Sequence, residues 1–585
     1  MTGDSHLGGK LHLSKIIDYD RDIAPHRFIN IVAGVGSGKT TFINNLIKGN
    51  EIKHQDGTLV KRQAILLIES RRSKVDEQLR SKSAFYASKA YNDSFRIWYA
   101  NDEEARVYEE NFERIRVGDP SSVYSTEVPK HSVAHTNARI ETNLKWSYTP
   151  EDPLARPWER FDMIVVDEVH SLLTDASYQS APYYVMRLIE ETLKRSETCK
   201  VIIMTGTAKV LDKHPLFAQA HVVDRMDACV NITPKSVEFI TAQEAAQLQR
   251  MMLDLDEKFV AFYNHIDPIL ELNKEEPDKT AISFSAEDRL AALPADTLKR
   301  IKNVQEHLAV KNLLPGDVIG FLTTSRNKEG ISINNEDIHA MFIEAHTEAD
   351  IIQMAGRLRN PVDVLYVVVD SNGYWEPESR FEKDLSMNKF LLRGINDEFK
   401  TLCAREGYTL EEEDGELRDP IYQNETLREY IDYIHGKYPY VRFDYFSNSF
   451  AYYEQREISK RYDREQRRVF DRAKCWSCDL IALARTWFPA AKCSVSSAAL
   501  SHEEKQAYVD SYLCENGWLD GKRDIRQAER IEILMAINRI TGEHAKNLGS
   551  VLKRYDFELV KKTRSKKTDA PYRIVRIPAL IEEAV

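Results

Sequence analysis

One stretch limits what this chain can fold into more than any other: Arg27-Phe28-Ile29-Asn30-Ile31-Val32-Ala33-Gly34-Val35-Gly36-Ser37-Gly38-Lys39-Thr40-Thr41. A short apolar strand enters a glycine-rich turn, and the turn opens a helix predicted over residues 42–47. Such a turn offers successive backbone N–H groups and a helix N-terminus to an anion, a lysine to the outer phosphates of a nucleotide and a hydroxyl to Mg²⁺. The residues expected at the nucleotide are Ala33, Gly34, Val35, Gly36, Ser37, Gly38, Lys39, Thr40 and Thr41, with Thr40 on the metal. Ala33 stands where the strict pattern G-x-x-x-x-G-K-[ST] has its first glycine.

The chain has 585 residues, which is too long for one core and predicts three or four domains. Strands and helices alternate from Arg27 to about Val223, as a parallel sheet with crossover helices requires. Apolar runs fall at 64–68, 161–166 and 200–204, with a helix over 103–116 and a further strand near 132–135 in an inserted segment. A second alternating region follows from about Val237 to Asp370, with strands at 259–262, 281–284, 318–322, 340–343 and 364–369. Its helices lie within 287–300 and at 351–358. The expected architecture is α/β: two tandem parallel-sheet lobes over 1–230 and 231–375, a mainly helical region over 376–500, and a C-terminal unit over 501–585. That last unit reads as helices at 502–515, 526–539 and 543–555 followed by strands at 557–562 and 572–577, the layout of a winged helix.

Candidate chemistry sits just past the carboxyl ends of apolar strands, where open α/β sheets hold ligands. Asp167 and Glu168 follow the 161–166 run. Hydrolysis of a nucleoside triphosphate needs an acid to share the metal with Thr40, the role of Asp167, and a group to orient or deprotonate the attacking water, the role of Glu168. Thr205-Gly206-Thr207-Ala208 and Thr323-Thr324-Ser325-Arg326 read alone as turns with local side-chain caps. Gln353-Met354-Ala355-Gly356-Arg357-Leu358-Arg359 is sharper, because arginines from a second lobe neutralise charge developing on a γ-phosphate.

The order and content of these motifs resemble a superfamily 2 helicase of the DExH type. Motif I matches Ala33–Thr40, motif Ia resembles Ile68-Glu69-Ser70-Arg71-Arg72, motif II is Asp167-Glu168-Val169-His170, and motif III resembles Thr205–Ala208. Motif IV resembles Phe262-Tyr263-Asn264, motif V residues 323–332 and motif VI Gln353–Arg359. The resemblance spans about residues 22–375. It implies two RecA-like domains, ATP and Mg²⁺ as ligands, and a catalytic set of Lys39, Asp167, Glu168, His170, Gln353, Arg357 and Arg359, with Gly330 joining the nucleotide contacts. It also implies strand contacts from Ser70, Arg71 and Arg72 on one lobe and Thr323, Thr324 and Ser325 on the other. The family places its second motif VI arginine where this chain has Asn360, and commonly an acid where it has Ser332, so either Arg357 or Arg359 is the finger. The stretches 68–72 and 353–359 also resemble herpesvirus-type origin-binding and phage replication helicases.

A formal net charge of −11 excludes a protein that coats nucleic acid over its whole surface and confines such contacts to local basic patches. One patch lies between Lys553 and Arg576, with nine Lys/Arg against three Asp/Glu. Its hairpin tip carries Lys561, Lys562, Arg564, Lys566 and Lys567. Lys546, Ser550 and Lys553 share a face of the preceding predicted helix, and duplex DNA is the expected partner. Cys475 and Cys478 read as buried free thiols rather than the start of a zinc site, which wants two short ligand clusters. Seven scattered cysteines point to a reducing compartment, and no run is long enough to span a bilayer. The expectation is a cytoplasmic ATP hydrolase acting as a DNA helicase or translocase in replication or repair, with no membrane contact and with replication proteins as further partners. The alternatives are an origin-binding initiation protein, an RNA helicase and a remodeller that moves without unwinding.

Overall fold

The computed structural model describes residues 12–34, 36–61, 63–70, 86–87, 96–98, 132–146, 157–229, 233–284, 286–324, 331–370, 378–408, 421, 424–519, 524–543, 545–561 and 572–577. The helix expected over 103–116 lies outside these residues.

The first lobe is built on strands β1 (Phe28–Val32), β2 (Ile65–Glu69), β3 (Tyr86–Ala87), β4 (Arg96–Trp98), β5 (Ser132–Thr136), β6 (Met163–Val166), β7 (Lys200–Thr205) and β8 (His221–Asp224). They form one sheet in the order β3-β4-β5-β2-β6-β7-β1-β8, parallel from β5 to β8. The central strands read FINIV, ILLIE and MIVV and are buried at every position, the continuous apolar pattern that a sheet covered on both faces demands.

The second lobe repeats the plan. Strands β9 (Ser236–Ile240), β10 (Lys258–Tyr263), β11 (Thr280–Ser283), β12 (Gly320–Thr324), β13 (Ile338–Ile343) and β14 (Val364–Val368) make a parallel sheet. Its order is β11-β12-β10-β13-β14-β9, and a seventh strand from far along the chain closes the β9 edge. The two sheets agree with the expected parallel α/β core.

The stretch read as mainly helical also supplies strands. A hairpin, β15 (Val441–Asp444) and β16 (Ser449–Tyr452), lies among helices Glu378–Arg405, Glu425–Lys437, Glu454–Ala473 and Ser477–Trp487. The closing strand β17 (Lys492–Val495) then pairs parallel with β9. This segment straps the two lobes together. Phe399, Ile431, Phe443, Phe450 and Tyr453 share a core with Tyr183, Tyr184 and Leu188 of the first lobe. Phe470, Leu480 and Trp487 share one with Phe239 and Phe262 of the second. Helix Glu454–Ala473 runs from one core to the other: Ser459 Oγ donates to Thr174 O at 2.9 Å, while Phe470 lies between Phe239 and Trp487.

The C-terminal unit has its own core of Val509, Leu513, Ile533, Ile537, Val551, Leu552, Tyr555 and Ile574. Helices His502–Glu515, Gln527–Thr541 and Leu548–Arg554 precede an antiparallel hairpin of β18 (Phe557–Lys561) and β19 (Tyr572–Arg576). The third helix starts later than the sequence suggested. The Asn547 side chain accepts from Gly549 N and Ser550 N and so caps the helix there. Lys546 therefore precedes the helix instead of sharing a face with Ser550 and Lys553. Cys475 and Cys478 are free and exposed, not buried, because both sit in and just after the turn between two strap helices. Among the described residues no helix is long and apolar enough to cross a membrane.

Candidate functional site

The loop after β1 needs left-handed backbone at Gly36 and Gly38, whose φ angles are 79° and 89°, a region that side chains other than glycine disfavour. Chain from before β1 props the loop from outside. Leu13 N–H donates to Ser37 O at 2.7 Å, and a Cβ on Gly38 would come within 3.2 Å of His12 Nδ1. Sequence reasoning passed over His12 and Leu13, since nothing in a polar N-terminal stretch marks them as partners of a turn downstream. From β7, Thr205 O accepts Ala33 N–H at 3.0 Å.

Lys39 is buried, and its Nζ donates to Ala33 O at 3.0 Å and Gly34 O at 3.3 Å. An ammonium has three donors, so one remains beyond those two carbonyls. Among the described residues the buried Ser37 hydroxyl has no hydrogen-bond partner, a cost that a bound acceptor would remove. These donors fit a phosphoryl group. Thr40 is half-buried beside them and Thr41 is exposed.

Past the end of β6, the buried carboxylate of Asp167 accepts Glu168 N–H at 2.9 Å. Glu168 adopts φ 50°, which strains a residue with a Cβ. Its neighbours hold it there: Val169 N–H donates to Met204 O and Ser171 N–H to Glu168 O. His170 Nδ1 lies 3.1 Å from Thr205 Oγ1 and 3.5 Å from Glu168 Oε2. Thr205 Oγ1 also accepts Thr207 N–H at 2.9 Å. The two weak threonine motifs thus differ in kind: Thr205 and Thr207 join the acidic pair through His170.

The second lobe meets this cluster directly. Gln353, on helix Glu348–Ala355, donates from Nε2 to Glu168 Oε2 at 3.3 Å, a buried contact between residues 185 apart in sequence. Arg357 stands behind it, buried, with Nη2 on Gln353 Oε1 at 3.1 Å, Nε on Gln353 O at 2.9 Å and Nη1 on Ile331 O at 3.4 Å. Arg359 is directed elsewhere: Nε and Nη2 reach Ser332 Oγ at 3.2 and 2.8 Å within its own lobe. Ser332, where the resembled family commonly has an acid, is therefore the anchor of Arg359. A second inter-lobe bridge joins Lys209 Nζ to Glu348 Oε1 at 2.6 Å.

The expected strand contacts are less well displayed. Thr323 is fully buried and its hydroxyl donates to Ser283 O at 2.8 Å. Ser70 is buried as well, and its Oγ has no partner among the described residues; Thr324 is half-buried. Lys561 is exposed at the end of β18. Val35, Arg71, Arg72, Ser325, Gly330, Lys562, Arg564, Lys566 and Lys567 lie outside the described residues.

Residues 14–210 match the family model described as "Type III restriction enzyme, res subunit", and with the geometry above they are a domain of the superfamily 2 helicase type. No curated protein matches the chain. Among solved structures, the E. coli DExH-box NTPase HrpB is 14% identical, over 61% of this chain and 41% of that one, with a TM-score of 0.35. Mycobacterium smegmatis helicase Lhr bound to ssDNA and AMP-PNP is 11% identical over 74% and 57%, with a TM-score of 0.37. A variant of S. cerevisiae Dbp5 bound to RNA and ADP BeF3 is 13% identical over 62% and 83%, with a TM-score of 0.34. This chain thus spans under half of the E. coli protein's length, and likeness at these scores carries no argument.

Proposed function

We propose that the chain is an ATP-driven nucleic-acid motor, a DNA helicase or translocase, whose two lobes close on the triphosphate and relax after hydrolysis. The observation that carries this reading is the contact of Gln353 with Glu168, backed by Arg357. A glutamine from one lobe is seated on Glu168 of the other, with an arginine bonded behind that glutamine.

The geometry supports the following roles. The loop N–H groups, Ser37 and Lys39 would take the phosphates. Mg²⁺, held by Thr40 and Asp167, would supply positive charge to the β- and γ-oxygens. Glu168, aimed by its left-handed backbone, would accept the proton of the attacking water, with Gln353 Nε2 as the second group holding that water. Arg357 would move its guanidinium from Gln353 to the γ-phosphate, the arginine-finger role. Departure of phosphate would loosen the Gln353 contact, and the Lys209–Glu348 bridge and strap helix would carry the change between lobes.

We read the three C-terminal helices and their hairpin as a winged helix that holds duplex DNA. Support comes from its separate core and from exposed Lys553 and Lys561 in the basic segment, a charge pattern suited to phosphate contacts. The test is ATP turnover with and without single-stranded DNA, duplex DNA and RNA. Wild type should be stimulated by DNA, whereas Lys39→Ala and Glu168→Gln should remain inactive with every polynucleotide. Turnover that ignores all three polymers would exclude a motor.

A further inference from the structure

Helix Glu378–Arg405 buries one face, through Phe381, Leu385, Asn388, Ile395, Phe399 and Cys403. On the other, Arg380, Lys383, Met387, Phe390 and Gly394 recur at the helical period and so line up along one stripe. Phe390 is 83% exposed and Met387 39%. Burying such a ring is worth much more than leaving it in water, and nothing within the described chain covers it.

Gly394 gives a second, independent sign. A glycine within a helix costs stability through its backbone freedom, and crowding is the usual structural reason to keep one. Here a Cβ on Gly394 would meet nothing within 4 Å. The packing of the described residues does not require a bare backbone at this point, one turn from the exposed ring, whereas a flat ligand lying against the helix would.

Charge identifies the ligand. Arg380, Lys383 and Arg393 are exposed and make no ion pair or hydrogen bond among the described residues, in a protein of net charge −11. Nearby Lys389 is, by contrast, committed to Glu457 at 3.0 Å and to the Tyr452 ring. Partnerless cations flanking a bare aromatic ring make a stacking platform with phosphate contacts on either side. We propose that this face is an accessory contact for single-stranded nucleic acid outside the two lobes, in which a base stacks on Phe390 over Gly394 while Arg380, Lys383 and Arg393 hold the flanking phosphates. The proposal rests on the motor reading above.

The test is fluorescence anisotropy of the full-length protein with labelled oligo(dT) and oligo(U) of equal length at one fixed salt concentration. Phe390→Ala should weaken binding by about 5- to 150-fold, the range for loss of one base–aromatic stack, and Phe390→Trp should bind like wild type. Gly394→Leu should weaken binding while its melting temperature stays level or rises. Turnover without polynucleotide should match wild type in all three. Tight wild-type binding with an unchanged dissociation constant in both Phe390→Ala and Gly394→Leu would overturn this contact and leave the motor reading intact. Loss of self-association in Phe390→Ala with unaltered oligonucleotide binding would make the face a protein contact and overturn it too. A wild type that binds neither oligonucleotide would overturn the motor reading and the inference with it.

Discussion

At the scale of single residues, the site depends on where a few side chains are aimed. Glu168 occupies φ 50°, a backbone state that costs a non-glycine residue about 1 kcal/mol or more. Asp167 and the β7 edge hold it there, with its carboxylate facing Gln353. Glu168→Gln keeps the shape and removes the carboxylate that we propose as the base. Turnover should fall by at least about 100-fold while affinity for a fluorescent ATP analogue stays within a few-fold of wild type. Loss of nucleotide binding instead would make Glu168 a structural residue. The two arginines should also separate. Arg357 reaches Gln353 and through it the acidic pair, whereas Arg359 is tied to Ser332. Arg357→Ala should cut single-turnover hydrolysis by about 1,000-fold or more, the size of an arginine-finger effect, and Arg359→Ala by a much smaller factor. Equal losses would contradict the assignment.

At the scale of elements, the strands were legible and the strap was not. Runs such as those at β1, β2 and β6 are apolar throughout, because both faces of their sheet are covered, so the two parallel cores could be read directly. Strand β17 has the sequence Lys-Cys-Ser-Val, too short and polar to announce itself, and its partner β9 lies about 250 residues upstream. Helix Glu454–Ala473 buries Gln455, Ser459 and Arg464 along with Tyr462 and Phe470, so no apolar stripe marks it as a lobe-to-lobe strut. The motif residues stood out in the sequence because phosphate chemistry favours those residue types at that spacing. The aim of Arg357 and Arg359 did not, since it depends on the neighbouring Ser332 and Gln353 rather than on spacing.

The strap also gives the molecule a pH-sensitive seam. His346, packed edge-on to Phe470, has its pKa lowered to about 4 by burial first and then by Arg467 and Lys474, against the smaller opposing pull of Asp471 and Asp350. The unfolded chain then takes up a proton near pH 6.5 that the folded chain refuses until about pH 4. This contribution to stability is complete above about pH 6.5 and is lost progressively as the pH falls toward about 4. Melting temperatures across that window should decline less steeply for His346→Gln than for wild type. Parallel curves would remove His346 from the account.

Across the whole molecule, the strap shares a hydrophobic core with each lobe, and the C-terminal unit is joined to it by specific polar contacts. The C-terminal unit docks on the strap, where Lys505 Nζ donates to Ala498 O at 2.8 Å and Glu504 accepts from Ser477 Oγ at 2.6 Å. Gly542, at φ 68°, lies so close that a Cβ would come 2.6 Å from Ala498 N. Gly542→Val should loosen that docking, so that limited proteolysis releases a C-terminal fragment from the variant sooner than from wild type while turnover without polynucleotide is unchanged. Equal cleavage rates would show that this junction does not hold the unit in place. In the proposed mechanism one triphosphate is worked from both lobes, by Lys39 and Glu168 on one side and Gln353 and Arg357 on the other. The mechanism's most direct test is single-turnover ATP hydrolysis by Arg357→Ala with saturating single-stranded DNA and ATP. Nucleotide affinity should stay near wild type while hydrolysis is almost abolished; unimpaired hydrolysis by that variant would show that the second lobe takes no part in the reaction.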